Sequence, residues 1–295
     1  TTEIYTLSLH DALPILYYNI VNAVGEGIEK EVYDYFKLKI NRQIRPVLLM
    51  LRVKKDTHVI SDELYERCIV YLRNFFIAFN LDNNTSNKIE LDVANLSHRI
   101  LISESASEVE RNVLSFLLKF EVYFKENDVL ADGLDNIVYT NRSTRKNVSS
   151  RLIVYLFKPL ILDAETNAFA NYDFEEFNVE HILNDSNNEN VYYSLGNLLV
   201  CPQKINDKMK NKEYQEKRKV LLESKITYLE QFASSYVEFN LSDVDTRSEK
   251  VREMLVQIYA LPYDDMKLRY DKLSIQGSLY RELLIMFGKD NQRIF

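Results

Sequence analysis

The sequence predicts a predominantly helical α+β protein: a helical region, a small finger of two strands and a helix, then further helices. Three observations lead there. Only six glycines and five prolines serve 295 residues. These residues punctuate turns, so their scarcity favours long helices over a barrel, a sandwich or a phosphate-cradling glycine loop. Apolar residues recur at spacings of three and four through most of the first 165 positions, the period of one helix face. Past Asn167 the period changes to two, that of a half-buried strand.

Composition narrows the class. Hydrophobic residues make up 46% and charged residues 27%, the balance of an ordinary soluble globular protein. The length allows one large or two medium domains. No apolar run reaches a membrane span, since "LFKPLILDA" is short and broken by Lys158 and Pro159. Cys68 and Cys201 lie far apart, which excludes a disulfide framework and a four-cysteine zinc site and fits a reduced, cytoplasmic setting. The net charge of −7 argues against broad non-specific nucleic-acid binding but leaves room for a local basic patch.

The elements follow in order. "TLSLHDALPI", Thr6 to Ile15, is the translation of a nucleotide string resembling a common short-read sequencing adapter. Residues 1–15 are therefore set aside as adapter-derived, His10 and Asp11 are given no function, and the native N-terminus is expected to be missing. Residues 16–165 form the helical region. "ELYERCIVYLRNFFIAF" places Leu64, Cys68, Tyr71, Leu72, Phe75, Phe76 and Phe79 on one face, behind Ser61 as N-cap. A second helix carries Val109, Val113, Leu114, Leu117, Phe120 and Phe124, opened by the capping box Ser105–Glu108. A third runs through Val148, Leu152, Tyr155 and Leu156, and Pro159 should end or kink it.

Residues 166–261 hold the finger. In "FEEFNVEHIL", Phe177, Val179 and His181 alternate with Asn178, Glu180 and Ile182, which reads as a strand. A polar loop, "NDSNNEN", separates it from a second strand, "LGNLLVCP", with Gly196 at its mouth and Pro202 closing it. A lysine-rich helix, "KINDKMKNKEYQEKRKVLLES", follows. Between Gln203 and Lys225 it holds eight Lys or Arg against four acids, so one of the most basic stretches lies just after the strands. A last helix is expected from a capping box at Thr246–Glu249 to before Pro262, and residues 262–295 form a helical extension without a motif.

Strand, loop, strand, helix is the outline of a ββα-metal finger. Glu180 and His181 sit on the first strand, Asn197 opens the second and Asn206 stands at the start of the helix. Phosphodiester hydrolysis needs a base to activate water and a cation to neutralise charge on the phosphate and leaving oxygen. One histidine can be the base. One acidic and one amide oxygen can hold a hard divalent ion and leave positions for water and phosphate. Neighbours on a strand point to opposite faces, so Glu180 and His181 would flank the reacting phosphate from different sides.

These residues carry a resemblance. "VEHIL", "SLGNLLVCPQKIN" and "KEYQEKRKVLLES" resemble the C-terminal HNH-type nuclease domain of the GmrSD family of modification-dependent restriction systems. The helices around "RPVLLMLR" and "LRNFFIAFN" resemble the middle region of the same proteins. The resemblance implies an endonuclease acting on DNA, modified DNA included, in antiviral defence. It implies His181 as general base, Asn197 as holder of the loop, and Glu180 and Asn206 as ligands of a divalent metal, Mg²⁺ or Mn²⁺. Lys208, Lys212 and Lys217 would face DNA, with Lys217 touching phosphate or supporting the fold. A nucleotide-hydrolysing domain or subunit, whose Asp-Gly-Gln-Arg-like motif is absent here, would be the partner. The chain departs from the family at Leu183–Asn184, where many members have proline.

Plainer readings stand beside these. Asn197 could be a turn residue after Gly196, Asn206 a helix cap, and Lys217 a solvated or structural lysine. His98 reads as an ordinary helix residue and His58 as a loop residue. Cys68 and Cys201 read as buried thiols. Arg142, Arg145 and Arg151 form a basic cluster that could touch phosphate but suits a solvated surface better. The alternative function is a regulatory or scaffolding protein with an inactive finger. Glu180 decides between them: if it points into an apolar core, the nuclease reading fails.

Overall fold

Four helices begin on a side chain that caps a free amide. Ser61, Ser105 and Ser149 accept from the backbone N–H of Leu64, Glu108 and Leu152 at 3.2–3.3 Å, and Asn240 accepts from Ser242 at 2.9 Å. The computed structural model describes residues 9–82, 86–126, 128–140, 148–165, 171–184 and 190–291. In chain order the helices are α1 (Leu9–Asn22), α2 (Gly27–Leu38), α3 (Arg45–Asp56), α4 (Asp62–Leu81), α5 (Glu90–Ile102), α6 (Ala106–Leu118), α7 (Glu121–Glu126), α8 (Val129–Asp135) and α9 (Ser150–Ala164). Strands β1 (Phe177–His181) and β2 (Leu198–Pro202) follow, then α10 (Gln203–Met209), α11 (Tyr214–Leu222), α12 (Thr227–Ser235), α13 (Leu241–Tyr259) and α14 (Tyr263–Asn291). The protein is thus predominantly helical. Among the described residues no helix is long and apolar enough to cross a membrane.

The chain forms two compact units, residues 1–77, 84–127 and 261–295 in one and 78–83 and 128–260 in the other. The sequence division differs: it leaves α8 and α9 with the preceding helices, whereas α9 packs on the strands and α8 on α13. The first unit is helical around the predicted α4 face. Phe75 lies at the centre, its ring 5.2–5.3 Å from those of Phe76, Phe116, Phe120 and Phe124. The single helix expected through Phe124 is two helices, broken at Lys119–Phe120.

In the second unit β1 pairs antiparallel with β2, His181 opposite Leu198 and Phe177 opposite Pro202. Phe177, Val179 and His181 are buried while Asn178 and Glu180 are half-buried, the alternation that the sequence predicted. Three expectations are corrected. Pro159 does not end α9. A proline lacks the amide that would bond the carbonyl four residues back, here Tyr155 O, and the Tyr259 hydroxyl shares its one hydrogen between that oxygen (3.4 Å) and Leu156 O (3.3 Å). The lysine-rich helix is split into α10 and α11, with Asn211 between them at φ +58°, which Asn tolerates better than most residues. The helix before Pro262, α13, starts at Leu241, because the capping box is Asn240–Asp243 and not Thr246–Glu249. Thr246 is inside the helix and bonds back to Ser242 O.

Gly196 is where α13 meets the strands. A Cβ there would lie 2.0 Å from Val244 O and 2.4 Å from Ser248 Oγ. Its N–H donates to Ser248 Oγ (2.8 Å), and Arg247 Nη1 donates to Gly196 O (2.6 Å) and Leu198 O (2.9 Å). Gly196→Ala is predicted to destabilise this unit by about 3 kcal/mol or more, since backbone must move to admit the methyl; the thermal midpoint checks it. Both cysteines are buried. Burial pushes the Cys68 thiol up to about 12 and raises that of Cys201. Because the thiolate is the reactive form, neither should react with a thiol reagent at pH 8 until the protein is unfolded, when both should.

Candidate active-site cleft

The end of β1 brings the predicted residues to one place. Glu180, His181, Asn206 and Lys217 all line a cleft of about 520 Å³, together with Tyr139, Asn178, Val179, Asn184, Gln203, Lys210 and Asn211. Glu180 is half-buried and faces this polar cleft, not an apolar core. Asn197 does not line it and acts from behind.

His181 is buried, 9% exposed. Its Nε2 lies 2.8 Å from the Tyr139 carbonyl oxygen. A carbonyl only accepts, so Nε2 carries the hydrogen, and in the neutral ring Nδ1 is the basic nitrogen. The Tyr139 ring stacks on the imidazole at 5.5 Å and 23°. The Tyr139 phenol is raised above its ordinary pKa by burial and then by the charge of Glu180.

Asn197 is fully buried. It accepts from Leu183 N–H (2.7 Å) and donates to Leu183 O (2.9 Å) and Tyr192 O (2.8 Å). Its own carbonyl accepts from Ile182 N–H at 2.9 Å. These bonds tie the residues leaving β1 to those entering β2. Asn206 is the fourth residue of α10, not its cap. Its Nδ2 donates to Val179 O (3.2 Å), and its Oδ1 makes no hydrogen bond among the described residues.

Lys217 is buried, 2% exposed, and places its three donors on Glu180 Oε1 (2.7 Å), His181 O (2.6 Å) and Asn184 Oδ1 (3.2 Å). No donor is left for a phosphate oxygen, so of the two readings the geometry gives it the supporting one. Asn184, one of the two residues departing from the family pattern, supplies the third acceptor. Lys208 is exposed and Lys212 half-buried; neither lines the cleft, whereas Lys210 does. Arg151 is exposed and donates to Glu175 O and Phe177 O. Arg142 and Arg145 lie outside the described residues.

The sequence reading missed Tyr139, Asn184 and Lys210. Tyr139 is 42 positions before His181, and no spacing rule connects them. Lys210 could have been found as the residue at the break after α10, had the Lys-Asn step been read as a turn.

Among the described residues no group of three or more His, Cys, Asp or Glu converges as a metal site. The oxygen donors nevertheless suit a hard divalent cation. Glu180 and Asn206 line the same cleft, and neither Glu180 Oε2 nor Asn206 Oδ1 is hydrogen-bonded among the described residues. A transition-metal site built on imidazole or thiolate does not fit, since Cys201 is buried and the basic ring nitrogen of His181 stands alone.

Asn197→Ala removes three side-chain bonds and leaves their backbone partners unpaired. A loss of about 3 kcal/mol is predicted, read as a lower midpoint in thermal or urea unfolding. Asn197→Asp keeps the shape but aims an acceptor at two carbonyls, so it should be no better tolerated.

No curated protein and no solved structure matches the chain. Residues 124–254 match the family model described as GmrSD restriction endonucleases, C-terminal domain. That stretch contains both strands, every cleft residue and the α13 contact at Gly196, and it is a GmrSD C-terminal domain.

Proposed function

We propose that this protein is a metal-dependent endonuclease of HNH type, which hydrolyses DNA phosphodiester bonds at the cleft beside β1. One observation carries the reading: within the segment matching the GmrSD family, Glu180, His181 and Asn206 line a single polar cleft. His181 Nδ1 would take the proton from the attacking water, while its Nε2–H stays on the Tyr139 carbonyl. Asn197 keeps the turn after β1 in place, and Lys217 fixes the Glu180 carboxylate from below. Glu180 and Asn206 would hold a divalent cation, Mg²⁺ or Mn²⁺. When bound, that ion supplies neutralising charge to the phosphate and leaving oxygen. Lys210 at the cleft, with Lys208 and Lys212 beside it in sequence, would meet flanking phosphates. The setting is restriction of foreign DNA, with base recognition and nucleotide control supplied by a partner domain or subunit.

A plasmid-nicking assay with Mg²⁺ or Mn²⁺ tests the reading on the full chain. Metal-dependent nicking should fall by roughly 100-fold or more in His181→Ala. Equal nicking by both proteins, or none by the parent, counts against it.

A further inference from the structure

Among the described residues, Glu180 is the one acid lining the cleft. Its Oε1 is 2.7 Å from the Lys217 ammonium, which is buried and held on two further oxygens. The other acid nearby, Asp207, is engaged by Lys210 (2.5 Å) and Gln203 (2.9 Å). The place offered to a cation is thus a carboxylate already neutralised by a fixed positive charge, plus one neutral amide.

Affinity for hard cations follows the number of charged ligands and the rigidity of the site. Two monodentate oxygens with no net charge give little of either, and a divalent ion placed there is repelled by Lys217 across a few ångströms of poorly screened space. A phosphodiester entering the cleft changes the balance. It adds the missing negative charge and a further oxygen ligand.

We propose that Lys217 sets the order of assembly: by neutralising Glu180 it prevents the cleft from retaining a divalent cation until a phosphodiester is present. The inference rests on the nuclease reading of the cleft. Lys217 is then a positioning residue, acting on the cation through Glu180. Because coupling between two ligands is reciprocal, the metal should tighten DNA as much as DNA tightens the metal.

The test measures binding, not cleavage. Mn²⁺ is titrated into the chain of residues 1–295 and the free ion is followed by its paramagnetic resonance signal, with and without a short duplex DNA. His181→Ala is present throughout so that the duplex stays whole, and Mn²⁺ held by DNA alone is subtracted. DNA should tighten Mn²⁺ about tenfold or more. Lys217→Met should bind Mn²⁺ alone about tenfold more tightly than the parent, with the DNA effect reduced, while Lys217→Arg, which keeps the charge, should behave as the parent. If the parent binds Mn²⁺ equally well with and without DNA, the assembly order is wrong and the nuclease reading stands. If Mn²⁺ is not bound under either condition, the nuclease reading itself falls. Both of these outcomes are measured with Lys217 unaltered, so they hold even if Lys217→Met fails to fold.

Discussion

The approach of α13 to the strands at Gly196 is the contact on which the cleft depends. Val244 O and Ser248 stand where any side chain at position 196 would be. Arg247 reaches past the same point to two carbonyls, under the ring of Phe232 at 5.1 Å. Together they hold the short turn Leu195–Asn197 against the helix. Asn197 inherits that placement and passes it to Leu183 through two hydrogen bonds. The residues beyond His181 are thereby held to the path that leads into the turn before β2. Removing a methylene from the core would soften such a unit, but adding one at Gly196 would displace the turn that the whole cleft hangs from.

The interior beside this turn is polar where function needs it and apolar elsewhere. Leu199, Cys201, Met209, Leu221, Leu229 and Val244 form one cluster, so β2 is buried on both faces while β1 keeps an open one. The buried cations in this unit, Lys217 and Arg247, are treated differently. Arg247 is satisfied by neutral carbonyls and a tyrosine hydroxyl. Lys217 takes a carboxylate, which costs desolvation on both sides and is retained only with good geometry. Bearing that cost at Glu180 makes structural sense if the carboxylate must be held at an open cleft in a fixed pose.

Much of this is legible in the sequence, for identifiable reasons. Period-two alternation finds β1, which ends one residue before the predicted Ile182, because one face of it is buried. The serine caps at 61 and 105 are readable because capping is local; the one at Ser149 has the same local form, and the sequence reading misses it. The errors fall where a distant partner overrides a local rule. Pro159 should have ended or kinked α9, but the helix runs on, and a tyrosine from α13 reaches the carbonyl it frees. The lysine-rich pattern runs on through Asn211, whose tolerance of positive φ allows a turn that composition alone does not announce. In the cleft, Glu180, His181 and Asn206 follow from motif spacing. The acceptor for His181 is invisible there, since a backbone carbonyl has no residue signature.

That last bond bears on what kind of object the two strands and α10 are. The group that selects the histidine tautomer belongs to residue 139, which precedes α9 and is itself anchored by Tyr139 N–H to Tyr193 O at 3.1 Å. The strand pair and its helix are therefore not a portable cassette. Grafted onto another scaffold with every motif residue intact, they would carry an imidazole free to exchange its two nitrogens. Conversely, side-chain variation at position 139 would cost the ring stacked on the imidazole but not the bond that sets its tautomer, because the carbonyl travels with any amino acid.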